Sequence, residues 1–321
     1  MSKYFTKSAF NLAVECPAKL FYYRNRKLAS GNKNGYEDRF LHDNLLRALA
    51  EGGFQVGELA KIYRTPKGEN KDDLEVISRD HLESLEDTNQ RLKQKDVVIF
   101  EAAFSVDNLF IRADIVEKHA DNLDLIEVKS KSFFSEKGLP FFTKTKKTIS
   151  KEWEKYLYDV AFQTYVVRKS KPEMKVTPFL MLVDKSKVTT VEGLNQLFLI
   201  KRDKSDKPNI FLKKGITKKE TGDEILEKID VSEEVNFLLN DPEFEKQVES
   251  WAKAYLANQK IDPSVGSKCK SCQFRPKNAG DSGKWGFNEC WAAHLEKDKS
   301  KHPIIDIWNF RGAEKAAVVQ I

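Results

Sequence analysis

Apolar residues in the first third of the chain recur at helical spacing, and near residue 97 the pattern shortens to extended, β-rich runs. A first short segment carries Phe10, Leu12, Ala13 and Cys16. Thr6 or Ser8 is placed to cap it, and Pro17 suits the first turn of a second segment. A longer amphipathic stretch from about Tyr36 to Leu49 is expected to stop at Gly52-Gly53, and a polar helix from about Arg79 to Leu92 is expected at the surface. Three runs follow, Val97–Phe104, Leu109–Glu117 and Leu123–Lys129, broken at Asp107-Asn108 and Ala120–Asn122. The breaks read as tight turns, so the runs predict an antiparallel meander. A helix over Ser150–Lys169 and an apolar strand over Val176–Asp184 come next. That order predicts an α/β sandwich with a mixed central sheet flanked by helices. Lys187–Lys219 reads as strands or long loops, and Asp223–Gln259 as two helices.

The 321 residues allow one large domain or two modest ones, at ~100–200 residues each. A hydrophobic share of 40% is enough for a sizeable core and excludes a disordered tail protein. The net charge of +6 is too small to identify a polyanionic partner, so local clustering decides. No apolar run of about 18 residues occurs, so no membrane span is expected. Met1–Phe10 lacks the apolar core of a secretory signal, which predicts a cytoplasmic protein with reduced thiols.

The residues that stand out for chemistry are Asp114, Glu127 and Lys129. Glu127 and Lys129, two apart in one extended run, point to the same face, and a short turn brings Asp114 of the preceding run beside Glu127. Two adjacent carboxylates repel unless a divalent cation neutralises them, and hard oxygen ligands suit Mg²⁺ or Mn²⁺. A lysine beside them holds an attacking water or stabilises a pentavalent phosphate. The bare E-x-K pattern also occurs at Glu69/Lys71 and Glu173/Lys175, but in polar stretches with no strand around them. An exposed ion pair on a sheet face is the alternative reading.

Asp114, then Glu127-Val128-Lys129, then helical Gln163, resembles the PD-(D/E)XK nuclease superfamily in its RecB-like exonuclease branch. The resemblance implies a restriction-endonuclease-like core. Asp114, Glu127 and the carbonyl of Val128 would be metal ligands, Lys129 the catalytic lysine, and Gln163 a further site residue. Ala113 stands where the superfamily's name has proline, and the Q-x-x-x-Y motif is incomplete, with Val167 four residues after Gln163 and Tyr165 two after it. RecB-like nucleases often carry a metal-binding histidine on the helix before the sheet, which makes His42 a candidate ligand. Glu101, expected on one face with Val97 and Ile99, is another, because a carboxylate in an apolar strand needs a partner. Glu58 is a weaker one.

The chain has 4 cysteines: Cys16, then Cys269-x₂-Cys272, then Cys290. C-x₂-C puts two thiolates within reach of one metal, and the other two complete four-fold sulfur ligation. The layout is similar to iron–sulfur nucleases related to the AddB helicase–nuclease subunit and the CRISPR adaptation exonucleases. That resemblance implies a structural 4Fe-4S cluster on Cys16, Cys269, Cys272 and Cys290. The long gap before Cys290 leaves room for Zn²⁺, with His294 able to displace one sulfur, and unligated buried thiols are a third reading.

Between Lys129 and Gln163 lie Lys131, Lys144, Lys146 and Lys147, interleaved with Phe133, Phe134, Phe141 and Phe142. Lysines neutralise phosphates and exposed aromatics stack on bases, so the segment is expected to contact nucleic acid without reading sequence. The reading is a Mg²⁺- or Mn²⁺-dependent deoxyribonuclease acting on DNA, with single-stranded ends favoured by the resemblance. A catalytically silent nucleic-acid-binding module with a Cys₄ zinc site is the alternative. A further domain or a helicase is a possible partner. The expected parts are 1–60, helical and contributing Cys16; 61–185, the nuclease core; 186–260, a basic and helical extension; and 261–321, a cysteine-rich clamp.

Overall fold

The computed structural model describes residues 3–27, 32–138, 141–143, 145, 148–202, 208–213, 216–278, 281–295, 301–306 and 318–320. In chain order the elements are β1 (Phe5–Thr6), α1 (Lys7–Glu15), α2 (Lys19–Arg24), α3 (Asn44–Arg64), α4 (His81–Arg91), β2 (Asp96–Val106), β3 (Leu109–His119), β4 (Asn122–Phe133) and α5 (Glu154–Ser170). Then follow β5 (Lys175–Asp184), β6 (Phe198–Arg202), β7 (Pro208–Leu212), β8 (Leu226–Asp230), α6 (Ser232–Leu239), α7 (Pro242–Leu256), α8 (Gly286–Leu295), β9 (Lys301–Pro303) and β10 (Val318–Gln320). The chain divides into two compact units: Arg47–Lys246, and a second made from both ends, Met1–Leu46 with Gln247–Ile321.

The larger unit is built on a mixed sheet in the order β2-β3-β4-β5-β8, in which only β4 and β5 run parallel. The three alternating runs do form the antiparallel meander, turned at Asp107 and Ala120, both at φ 51°. On one face Phe100, Ile115, Ile126 and Met181 pack with Leu59, Ala60, Ile62 and Tyr63 of α3. Strand alternation sends Glu127 and Lys129 to the opposite face, where α5 lies over the sheet. Helix α5 is buried nearly all round, from Leu157 to Val167, so its apolar stripe is blurred by Asp159 and Gln163 on the sheet side.

Several local expectations are corrected. Helix α3 does not stop at Gly52-Gly53 but runs through both and through Gly57. Burial of Leu59, Ala60, Ile62 and Tyr63 on the sheet anchors the following half of the helix and offsets glycine's cost of about 1 kcal/mol per position. Nor does a helix begin near Tyr36. Oδ1 of Asp43 accepts from the backbone N–H of Leu45 (2.9 Å) and Leu46 (3.0 Å), an N-cap that starts α3 there and leaves Arg39–His42 as a 3₁₀ turn. Residues 226–230 form an edge strand, β8, where a helix was expected, because β5 offers its free side for pairing. Within Lys187–Lys219 the signal resolves into the β6–β7 hairpin.

In the smaller unit, Thr6 caps α1 by accepting from the Ala9 N–H at 3.4 Å. Phe10 packs on Trp251 at 5.9 Å between ring centres. Among the described residues no helix is long and apolar enough to cross a membrane.

Candidate functional site

Strands β3 and β4 pair from His119/Asn122 up to Ile115/Ile126 and then part. Asp114 and Glu127 are the next residues on either side of that point. Past it the Val128 N–H donates to Oδ2 of Asp114 at 2.8 Å, so the aspartate satisfies a backbone donor at the fork. Strand β4 keeps its parallel partner β5 through Lys129, and the register then shifts before Ser132. The fork therefore opens with Asp114 on one prong and Glu127, Val128 and Lys129 on the other.

Glu127 is 2% exposed, and its two oxygens have different partners. Oε1 accepts from the Lys129 ammonium, and Oε2 accepts from Nε2 of Gln163 at 2.8 Å. Lys129 also donates to Oδ2 of Asp159 at 2.7 Å, and Gln163 Nε2 reaches Oδ1 of Asp159 at 3.3 Å. Asp159, likewise 2% exposed, is the site residue that sequence reasoning missed. Its signal was its place one helical turn before Gln163, which puts both on one face of α5. Tyr165 turns elsewhere and donates to Glu245 at 2.8 Å.

Three carboxyl side chains, Asp114, Glu127 and Asp159, and the single amine of Lys129 thus occupy a largely buried place. Gln163 Oε1 is buried there without a hydrogen-bond partner among the described residues. Among the described residues, no three His, Cys, Asp or Glu side chains are grouped tightly enough to hold a metal ion as they stand. The donor set nevertheless fits a hard divalent cation in kind, since carboxyl groups and an unsatisfied amide oxygen are hard oxygen donors.

Glu101 departs from its expected place. The register around it (Phe100 opposite Ile115, Ala102 opposite Ala113) sets it across from Asp114, but it sits at φ 57°, in the left-handed region. Alternation breaks there, and its carboxylate meets Lys61 and Arg112, each at 3.6 Å. Lys61 is also paired with Glu58 (3.1 Å) and Glu75 (3.2 Å). Burial opposes the Lys61 charge, yet Glu58, Glu101 and Glu75 hold its pKa above the ordinary lysine range. Glu58 thus belongs to this second charged cluster. The side chain of His42 lies outside the described residues.

The four cysteines belong to the smaller unit and line one small cavity together with Ala18, Lys19, Tyr22 and Phe287. Helix α8 approaches α2 so closely that a Cβ on Gly286 would lie 2.7 Å from the Tyr22 ring. The Tyr22 hydroxyl consequently sits 3.2 Å from Cys290 Sγ. Burial pushes the Cys290 thiol up to about 11, with the Tyr22 hydrogen bond pulling the other way and Cys16 and Cys272 adding to the rise. Cys272 is raised too, first by burial, against a hydrogen bond from the Phe274 backbone. Four thiols around one cavity are the donor set that a soft metal or an iron–sulfur cluster takes.

Of the expected nucleic-acid contacts, Phe133 is corrected: it is 8% exposed and packs inward, because strand alternation carries it to the core. Phe141 is also buried, against Trp153 at 5.3 Å. Lys131 is paired with Glu152 at 2.8 Å and lies over the Trp153 ring at 4.5 Å. Lys144, Lys146 and Lys147 lie outside the described residues.

No protein-family model matches the chain, and no curated protein matches its sequence.

Proposed function

We propose that the chain is a divalent-metal-dependent nuclease that hydrolyses phosphodiester bonds in DNA, with single-stranded ends as its substrate. The observation that carries this reading is the fork itself. Where β3 and β4 part, Asp114 meets the backbone of Val128, while Glu127 and Lys129 turn together toward Asp159 and Gln163. An exposed surface ion pair would need none of this support from α5.

Asp114, Glu127 and the Val128 carbonyl would hold Mg²⁺ or Mn²⁺. Once bound, the ion supplies Lewis-acid charge beside the scissile phosphate. The remaining work belongs to the side chains. Gln163 fixes the plane of the Glu127 carboxylate. Asp159 and Glu127 restrain the Lys129 ammonium, which would otherwise sweep a wide arc on its flexible stem. Held there, Lys129 orients water for in-line attack and offsets charge as it builds on the phosphate oxygens. Attack breaks the P–O3′ bond, leaving a 3′-hydroxyl and a 5′-phosphate. The cysteine set of the smaller unit would carry a structural 4Fe-4S cluster, with zinc as the other occupant of the same chemistry.

The test is cleavage of end-labelled single- and double-stranded DNA with Mg²⁺, with Mn²⁺ and with EDTA. Glu127→Ala and Lys129→Ala should abolish metal-dependent cleavage while leaving binding in place. A wild-type protein that binds DNA and cuts neither substrate in either metal would overturn the reading.

A further inference from the structure

Strand β4 does not end its chemistry at Lys129. At its carboxyl end, alternation turns Phe133 inward and Phe134 outward, and Phe134 is 43% exposed. Two ammonium groups flank that ring, Lys137 at 4.7 Å and Lys185 at 5.8 Å from its centre. They come from different loops, one after β4 and one after β5. The loops are bolted together by Asp184, which is almost fully buried. Its Oδ1 accepts from the backbone N–H of Ser135 at 3.1 Å and of Ser186 at 2.9 Å. The Lys185 N–H donates to the Phe133 carbonyl at 2.8 Å. An exposed phenylalanine on a free loop would wander, but the backbone beside this one is anchored at Ser135 by a buried carboxylate.

We propose that Phe134, with Lys137 and Lys185, is a stacking platform for one unpaired base of a single-stranded nucleic acid, the lysines taking the flanking phosphates. Every base presents a π-face, so such a platform accepts any sequence but requires a base that is not paired. The platform lies off the carboxyl ends of the parallel pair β4 and β5, the side on which ligands of open α/β sheets bind. Phe134 lies five residue steps beyond Lys129, at most about 16 Å at ~3.3 Å per residue, a span a few nucleotides can bridge. The assignment rests on the proposed nuclease reading for its purpose, but not for its test.

The test is binding, read by fluorescence anisotropy in EDTA so that cleavage plays no part. The probes are a labelled oligothymidylate, an oligomer of equal length with abasic sites, and a duplex, each with the whole chain. Phe134→Ala should weaken oligothymidylate binding about tenfold. Phe134→Trp should restore it, and the abasic oligomer should bind wild type and Phe134→Ala alike. Lys137→Ala and Lys185→Ala should each lower the slope of log affinity against log salt by ~0.7. Equal binding of oligothymidylate by wild type and Phe134→Ala would overturn the proposal, as would an equal loss on the abasic oligomer. A wild type that cuts nothing yet shows the Phe134 dependence would overturn the nuclease and leave the platform standing.

Discussion

Nε2 of Gln163 donates to Oε2 of Glu127 at 2.8 Å, so a helix side chain sets the orientation of a buried strand carboxylate. Replacing Gln163 with Ala removes a hydrogen bond to a buried carboxyl group, at a cost of about 1–3 kcal/mol. Urea denaturation should show the loss as a lower midpoint with an unchanged slope. Under the proposed function, kcat should fall further than KM rises, because the substrate-binding surface is untouched.

Asp159 is the second carboxyl group, with Glu127, that holds Lys129. Asp159→Asn keeps the shape and removes the charge, so Lys129 should swing more freely and cleavage should drop about tenfold or more. Asp159→Glu, which keeps the charge but lengthens the arm, should recover only part of it. Equal cleavage rates for wild type and Asp159→Asn at saturating metal would remove Asp159 from the site.

Acid should find its weak point in Glu117, which sits almost fully buried between Arg64 and Lys228. Burial pushes its carboxyl up, but the hydrogen bonds and charges of those two residues outweigh burial and hold it below the ordinary glutamate range. A carboxyl depressed in the folded state stabilises fully above its unfolded pKa of ~4.3, and the contribution disappears as pH falls through the folded value. Wild type should therefore lead Glu117→Gln by about 3 kcal/mol near neutrality, a gap that closes in thermal melts carried below about pH 4.

Gly57 lies inside α3, and a Cβ added there would meet nothing within 4 Å. Gly57→Ala should raise stability by about 0.5–1 kcal/mol, chiefly by restricting the unfolded chain. The denaturation midpoint reports it. A loss of stability would mean that this turn of α3 is not helical in solution.

Under the proposed function, removing any one of Cys16, Cys269, Cys272 or Cys290 should lower the bound iron or zinc, since the four line one cavity. Anaerobically purified wild type should be brown and bleached by dithionite if it carries iron and sulfur, and colourless with stoichiometric zinc if it carries zinc. A colourless wild type with neither metal would leave the cysteines as buried thiols.

The central sheet was readable because β2, β3 and β4 are runs rich in β-branched and aromatic residues separated by short turns, a local property of the chain. Glu127 and Lys129 could be singled out for the same reason, since a period of two puts them on one face, and the short turn carries Asp114 back to the backbone of Val128. Asp159 was not readable in that way. Its role depends on α5 landing over β4, and an aspartate in a helix carries no mark of the lysine it will meet 30 residues away. Glu101 misled for a related reason: alternation predicts its face only while the backbone stays extended, and at φ 57° it does not. Gly52-Gly53 misled because helix propensity is worth less than the apolar face that α3 buries.

Period, spacing and charge along the chain were enough to predict a mixed sheet and to single out two carboxylates with a lysine near them. The antiparallel meander and the shared face of Glu127 and Lys129 follow from residues close in sequence or joined by a short turn. Which helix face closes over the carboxylates, which phenylalanine is buried and which is offered to solvent, and where Glu101 sends its charge were decided only when the elements packed. Those outcomes depend on desolvation and through-space pairing between distant segments, and such energies come into being only with the folded arrangement.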